Sequence, residues 1–398
     1  MDLLTTQKKD EILLSVKEKL ASGAAEIIHE NKRDLDLAKG LEKAMYDRLV
    51  INDKKMCSMI EAIEDIVADA DPVGVDLYKY DHPNGMKVTN KTAPFGTVLI
   101  IYESRPDVTI EAAMVAFKSN NKILLKGGKE AIYSNRALVA CWHQALEEHG
   151  LSRDWVQLLE LDRAATQTFL RSPTIPLDLI VPRGGEGLIN FVKTHATCPV
   201  LISGRGNNFL YVHQDAEIDK TVDIIVNSKI DKISACNALD KVIIDKKHHS
   251  LEKLTAALLT KLAASEVEVL ADHEITSAQG NGQAINLEDQ WPEEYLAMKI
   301  AVGLVDDVSQ AIGLINQYSG GHSATIMTED HTIAQRFMDE VDAAAVYHNV
   351  STRFTDGGQF GLGAELAIST DKLHHRGPLG LHQLVTNKWY IHGDGQIR

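Results

Sequence analysis

Hydrophobic and polar positions change rhythm along this chain, and each change marks a change of element. Over the first 70 residues the period is helical: Ile12, Leu13, Val16 and Leu20 fall on one face, and "DKKMCSMIEAIEDIVADA" from Asp53 repeats the spacing. "DPVG" at 71–74 breaks that rhythm. "YKYDHPNGMKVTNKTAP" follows, with Asn84-Gly85 as a hairpin signal between alternating flanks that suit strands with few core contacts of their own. From Gly96 the pattern runs strand, helix, strand. "GTVLIIYE" reads as a buried strand, "TIEAAMVAFKSN" as a helix, and "KILLKGG" as a strand closing on glycines. The helix "SNRALVACWHQALEEHG" ends at Gly150, a C-terminal cap, and "DWVQLLEL" and "LDLIVPRGG" read as further strands.

Strands alternating with helices predict a parallel sheet covered on both faces. Ligands of such sheets bind beyond the carboxyl ends of the strands, where "YESRP", "KGGKE" and "PRGGEG" all fall. A second α/β pattern begins near Asn207, with the helix "EIDKTVDIIVNSK", then "KISACNAL", then the strand "KVIID". It continues through "MKIAVGLV", the helix "VSQAIGLINQY" and the strand "AAAVYHNV". "EVEVLADHEITSAQGNGQAINLEDQ" reads as a strand plus surface loops, and no internal repeat is visible. The tail "HQLVTNKWYIHG" is strand-like and far in sequence from any sheet partner.

Composition narrows the function classes. A net charge of −15 argues against nucleic acid and acidic membranes as partners. No uncharged apolar run reaches the roughly 18 residues of a membrane span. The start "MDLLTTQKKDEILL" lacks a basic-then-apolar signal pattern. Cys57, Cys141, Cys198 and Cys236 are scattered, which fits neither a metal site nor a secreted disulfide framework. A cytoplasmic protein with reduced thiols is expected. No metal is expected either: His248-His249 and His374-His375 are adjacent pairs, and neighbours on a helix point about 100° apart. The phosphate-loop motif is absent, and "GRGNNF" at 204–209 begins as a dinucleotide fingerprint and then departs from it.

Two stretches carry chemistry while leaving a plainer reading open. "KILLKGGKEA" sets cations and exposed backbone after a buried strand, which suits a phosphate and equally an ordinary strand-to-helix turn. "SACNAL" holds Cys236 between a helix and a strand, where a nucleophile can be presented, with Lys229 and Lys232 close in sequence. A buried core cysteine would also fit there.

Taken together, "GTVLIIYESRPDVT", "LLKGGKEAIYSN", "VPRGGEGLI", "CNAL" and "STRFTDGGQFGLGAELAISTDKLHHRGPLGL" resemble the aldehyde dehydrogenase superfamily. The resemblance runs from about Asp71 to Arg398 and is nearest to the branch that reduces L-glutamyl 5-phosphate in proline biosynthesis. It implies an α/β, aldehyde dehydrogenase-like fold. Residues 1–77 and 94–205 would form a Rossmann-like NADP-binding domain, 206–366 a catalytic α/β domain, and 78–93 with 384–398 a small β oligomerisation flap. It also implies a homo-oligomer, dimer or tetramer, because flap strands need a neighbour at their edge. A glutamate 5-kinase, the source of the acyl phosphate, is the other candidate partner.

The implied reaction is NADPH-dependent reduction of L-glutamyl 5-phosphate to glutamate 5-semialdehyde and phosphate. Cys236 matches the family nucleophile, and its backbone N–H is the expected first oxyanion donor. An acyl phosphate is already activated, so a thiolate displaces phosphate without a strong acid, and the thioester formed accepts hydride far better than a carboxylate. NADP contacts are expected from Lys126, Gly127, Gly128 and Lys129 and from Gly184, Gly185 and Glu186. Substrate contacts are expected from Ser104, Arg105, Ser351 and Arg353, with Asn237 beside the nucleophile. One of the two arginines would hold phosphate or carboxylate, unless it serves a structural ion pair.

The sequence departs from the pattern at three places. Ser104 falls nearest the position of the second oxyanion donor, an asparagine in many relatives. Ser203 stands where aldehyde dehydrogenases carry a glutamate base. The branch's usual Q-R-P before the cysteine is Asp231-Lys232-Ile233, which keeps a charge and loses the arginine fork. This third departure leaves room for another acyl phosphate or acyl thioester as substrate. A non-catalytic member is the remaining alternative, against which the intact Cys236, "KGGKE" and "GGQFGLG" argue.

Overall fold

The computed structural model describes residues 3–41, 43–202, 204–275, 283–284, 286–373 and 375–398. Ser203 and His374 lie outside the described residues, as does most of "TSAQGNGQAI". The chain divides into two units. The first comprises Met1–Ile202, Gly361–Ala367 and Pro378–Arg398, and the second Ser203–Phe360 and Ile368–Gly377.

In the first unit the opening helical rhythm becomes α1 (Thr6–Ser22), α2 (Ala24–Leu37), α3 (Lys43–Leu49) and α4 (Asp53–Ala68). Thr5 Oγ1 accepts from Lys8 N at 3.2 Å and Asn52 Oδ1 from Lys55 N at 2.9 Å, so side chains cap the first orphan amides of α1 and α4. The buried Lys9 ammonium pairs with Asp71 and donates to Lys118 O at 2.8 Å, which ties α1 to the rest of the unit. The predicted hairpin forms between β1 (Asp76–Asp81) and β2 (Lys87–Pro94), with Gly85 at φ +92° in the turn.

The alternating stretch then gives β3 (Thr97–Tyr102), α5 (Asp107–Lys118), β4 (Lys122–Lys126), α6 (Ile132–Glu148), β5 (Val156–Leu158), α7 (Arg163–Arg171), β6 (Leu179–Arg183) and α8 (Glu186–His195). Gly150, past the end of α6, takes the left-handed conformation at φ +74°. The strands lie in the order β5-β4-β3-β6, all parallel. Val98, Ile100 and Tyr102 face a core shared with α1, α4, α5 and α6, while Leu99 and Ile101 face Phe169, Leu170 and Val192. Burial on both faces is why β3 reads as an unbroken apolar run.

The second unit repeats the scheme with β7 (Asn208–Val212), α9 (Ile218–Ile230), β8 (Leu239–Asp245), α10 (Leu251–Ala264), β9 (Glu268–Ala271), β10 (Gln283–Ala284), β11 (Lys299–Val305), α11 (Val308–Tyr318) and α12 (His331–Glu340). Strands β12 (Ser323–Met327) and β13 (Ala345–His348) complete a sheet ordered β10-β9-β11-β8-β7-β12-β13. Leu210 and Val212 face α9 and α10, and Phe209 and Tyr211 face α11 and α12.

Two short strands, β14 (Glu365–Ser369) and β15 (Gly377–Gly380), pair with each other. The strand-like tail becomes β16 (Val385–His392), antiparallel to β2 from Val385↔Pro94 to His392↔Lys87. Its partner is therefore the early hairpin, about as distant in sequence as the chain allows. In this β1-β2-β16 sheet Leu77, Tyr78, Tyr80, Trp389 and Ile391 are exposed.

Phe117 sits at the centre of the first core, edge-on to Trp142 at 5.5 Å and to Trp155 at 5.4 Å between ring centroids. Phe117→Ala removes both contacts and leaves a cavity. We expect a loss of about 3–5 kcal/mol in urea unfolding, followed by tryptophan fluorescence.

Candidate active site

Cys236 occupies the irregular turn between α9 and β8, at the amino edge of its sheet. It is half-buried, whereas Cys141 is buried inside α6, where burial pushes the thiol up to about 11. The loop around Cys236 is held from below. Asn208, the first residue of β7, donates through Nδ2 to Cys236 O at 2.8 Å, Ala238 O at 2.7 Å and Gly206 O at 2.7 Å. A Cβ on Gly206 would lie 1.8 Å from Cys236 O, so only glycine lets the two backbones approach. "GRGNNF", which fails as a dinucleotide fingerprint, is the floor of the cysteine loop. That role was missed because three carbonyls converging on one amide leave no local motif.

Deeper groups support this floor. Gly206 N–H donates to Glu294 Oε1 at 3.0 Å, and burial raises the Glu294 carboxyl against that hydrogen bond. The fully buried Lys229 pairs with Asp240 at 2.8 Å, and Asp240 Oδ2 accepts from Tyr295 N at 2.9 Å. Lys241, drawn down to about 7 chiefly by burial, donates to Glu293 O at 2.6 Å and lies 3.7 Å over the Tyr295 ring. Lys229 therefore directs its charge to Asp240 and Lys232 is exposed. Their closeness to Cys236 in sequence does not carry over into a shared cationic pocket, because Lys229 lies on the buried face of α9.

On its other side the loop is stitched to residues 351–355. Asn237 Nδ2 donates to Arg353 O at 3.2 Å and Thr355 O at 2.9 Å, and Thr352 Oγ1 donates to Asn237 O at 2.8 Å. Ser351 Oγ meets Ser228 Oγ at 2.8 Å. The amide hydrogens of Asn237 are thus committed to the loop, and what it can still offer is Oδ1, which is buried without a hydrogen-bond partner. Arg353 Nε contacts Asp231 Oδ2 at 2.9 Å. The second unit accordingly brings Cys236, Asn237, Ser351 and Arg353 into one connected segment pair.

In the first unit three loops, two of them bearing glycines, leave the carboxyl edge of adjacent strands. β3 runs into Ser104 and Arg105, β4 into Gly127, Gly128 and Lys129, and β6 into Gly184 and Gly185, with Ile101↔Lys126 and Tyr102↔Arg183 in register. β3 is where the strand order reverses, the place for a ligand in such a sheet. Ser104 is left-handed at φ +45°, and its N–H and hydroxyl both donate to Glu130 Oε1, at 2.7 and 2.9 Å. Lys126 Nζ donates to Gly127 O at 2.7 Å, and burial lowers its ammonium. Lys129 is exposed. A Cβ on Gly127 would meet the buried Asn135 Nδ2 at 2.2 Å, and that Nδ2 has no hydrogen-bond partner. Gly185 precedes α8 with no side-chain cap, its N–H donates to Glu103 Oε2 at 3.4 Å, and a Cβ on Gly185 would meet nothing within 4 Å. The Glu186 side chain lies outside the described ones. Arg105 lowers Arg48, second to burial, and Lys55 pairs with Asp107 at 3.0 Å, so cations gather beside this loop. No cluster of metal-ligating groups occurs among the described residues.

Known proteins resemble this chain. The model of the aldehyde dehydrogenase family matches residues 2–280. The γ-glutamyl phosphate reductase of Clostridium beijerinckii is 41% identical over 400 residues, covering 100% of this chain and 96% of its own. That of Aquifex aeolicus is 40% identical, covering 99% and 92%. The crystal structure of the γ-glutamyl phosphate reductase of Thermotoga maritima superposes with a TM-score of 0.95 at 39% identity, covering 99% of this chain and 95% of that one. An acetylating aldehyde dehydrogenase from Geobacillus thermoglucosidasius, at 18% identity and a TM-score of 0.69, shares the fold.

The clamp on the cysteine carbonyl yields a direct test. Gly206→Ala must push the Cys236 backbone aside, since the contact is with backbone rather than a yielding side chain. Far-UV circular dichroism is expected to stay native while turnover drops about a hundredfold, the usual effect of a misplacement near 1 Å.

Proposed function

Because this chain belongs to the aldehyde dehydrogenase family and, within it, to the γ-glutamyl phosphate reductases, we propose that Cys236 is the nucleophile through which it reduces L-glutamyl 5-phosphate. The observation that carries this reading is the clamped loop: a half-buried thiol whose backbone is fixed by Asn208 from one side and by Asn237 and Thr352 from the other. A core cysteine needs no such loop, as Cys141 in α6 illustrates.

The chain is an oxidoreductase with a nicotinamide cofactor. We assign the cofactor to the carboxyl edge of the first unit, where the α8 amides beyond Gly185 and the turn at Gly127, Gly128 and Lys129 fit its phosphates. When bound, the nicotinamide supplies hydride to the acyl carbon. The Cys236 thiolate forms the bond to that carbon, and the carbon–oxygen bond to phosphate breaks, with phosphate keeping the electron pair. After reduction, the thiolate leaves again as the aldehyde forms. Arg353 holds an oxyanion of the substrate, Ser351 and Asn237 shape the loop that carries it, and Arg105 is the corresponding cation of the first unit. We further propose a homo-oligomer covering the exposed Tyr78, Trp389 and Ile391 of the β1-β2-β16 sheet, a cytoplasmic location, and a glutamate 5-kinase as the source of the labile substrate.

Phosphate dependence tests the reaction as a whole. A hydroxyl at Ser203 is a poor base near neutral pH, so water attacks the Cys236 thioester slowly, whereas the phosphate dianion needs no base. With semialdehyde and NADP, we expect continued NADPH formation only when phosphate or arsenate is present, and at most one equivalent per site without it. Sustained turnover to glutamate in phosphate-free buffer would refute the reading. In the same assay Cys236→Ser is expected to retain about one part in ten thousand of the activity.

Cofactor choice follows from Lys129. Its exposed ammonium would attract a 2′-phosphate, so Lys129→Ala is expected to weaken NADPH binding about tenfold and NADH binding little, as read by fluorescence titration. Equal losses for both cofactors would move Lys129 out of the site.

A further inference from the structure

The residue that replaces the first member of the branch's Q-R-P is the one that meets Arg353. Asp231 is the C-cap of α9, still helical at φ −57° and ψ −44°. A carboxylate is electrostatically misplaced there, because the helix dipole presents its negative end to that position. Little is gained in stability either: Asp231 is 54% exposed, and ion pairs with so open a partner contribute little. Its carboxylate nevertheless contacts Arg353 Nε at 2.9 Å. The arginine is the more sheltered partner, at 16% exposure, and its carbonyl receives Asn237 Nδ2, from the residue after the nucleophile. An acid that neither suits its helix nor anchors the fold, aimed at the cation next to the reactive loop, calls for a functional account.

We propose that Asp231 is a resident competitor for the oxyanion that Arg353 binds, and so sets the enzyme's affinity for that group. This rests on the reading of Arg353 as the substrate's anion site. The Asp231 carboxylate has the same charge and oxygen geometry as the substrate's carboxylate and resembles one edge of its phosphate. It holds the guanidinium oriented while the site is empty, and an arriving oxyanion takes its place. Because Asp231 is largely solvated, its release returns a carboxylate to water at small cost. Weakly held anions compete poorly with an intramolecular partner, whereas a substrate fixed at a second point on Cys236 displaces it. A neutral glutamine at this position, as in Q-R-P, would lack that competition.

The test compares wild type with Asp231→Asn, Arg353→Ala and the double variant. The reverse reaction gives separate KM values for inorganic phosphate and for semialdehyde, which distinguish phosphate from carboxylate as the group held. Protection of Cys236 from iodoacetamide by phosphate gives a readout that needs no turnover. Arg353→Ala is expected to raise one of the two KM values about tenfold. Asp231→Asn is expected to lower that same KM about two- to fivefold with kcat within about twofold, the range of an exposed ion pair. The gain is expected to vanish in the Arg353→Ala background. A gain that persists there would reveal a general field effect and overturn the proposal. An unchanged or raised KM in Asp231→Asn, with Arg353→Ala still impaired, would overturn it while leaving Arg353 as the anion site. Unchanged KM values and unchanged protection in Arg353→Ala would remove the anion site itself and this proposal with it.

Discussion

One side-chain amide anchors the Cys236 loop of the second unit to the start of β7. Asn208 Nδ2 has two hydrogens and faces three carbonyls at 2.7–2.8 Å, those of Gly206, Cys236 and Ala238, so one hydrogen is shared. The loop is irregular, and its carbonyls have no ladder to satisfy them. Each would cost about 1–3 kcal/mol if buried without a donor. One amide thus lets the chain stop α9, expose a thiol and begin β8 within a few residues. The neighbouring glycine is the other half of the constraint: the approach of Gly206 to Cys236 O leaves no room for a side chain. Glu294, the buried Lys229–Asp240 pair and Lys241 then matter because they fix where Gly206 and the 293–295 segment lie.

The two units place chemistry on opposite edges of their sheets. In the first, the loops leave the carboxyl ends of β3, β4 and β6, the edge to which we assign the cofactor. In the second, Cys236 precedes β8 and sits at the amino edge. The 351–355 segment reaches it by doubling back from β13: Thr325 Oγ1 donates to Val350 O at 2.9 Å, and Ser323 Oγ meets Thr355 Oγ1 at 2.7 Å. As the proposed nucleophile, Cys236 needs a fixed position rather than a row of amides, and a loop braced from two sides supplies it.

This difference explains what could be read from the chain beforehand. Strand–helix alternation is local, so the parallel sheets and the three loops after β3, β4 and β6 were legible, as was the turn holding Cys236. The hairpin was legible from Asn84-Gly85, whereas the joining of the tail to it came from the family resemblance and not from any local pattern. The clamps were illegible. Asn208 reaches carbonyls 28 and 30 residues away, Ser228 meets Ser351 across 123 positions, and Arg353 meets Asp231 across 122. Bonds between such distant side chains and loops leave no period and no spacing. Lys229 shows the opposite error: seven residues before Cys236 in sequence, it follows the phase of α9 into the core instead.

Glu130 shows how a bond seen only in three dimensions changes the meaning of a sequence. One residue after Lys129, an acidic group is the natural partner of a free ribose 2′-hydroxyl and argues for NAD. Its Oε1, however, accepts both the N–H and the hydroxyl of Ser104, holding that residue in a left-handed conformation that costs a non-glycine residue about 1–3 kcal/mol. The carboxylate is thereby bound to the β3 loop and carries out a positioning task. The hydroxyl of Ser104 is likewise engaged, which weakens its case as an oxyanion donor. Lys129 on the β4 turn is exposed, which leaves standing our proposal that its cation meets a phosphorylated ribose.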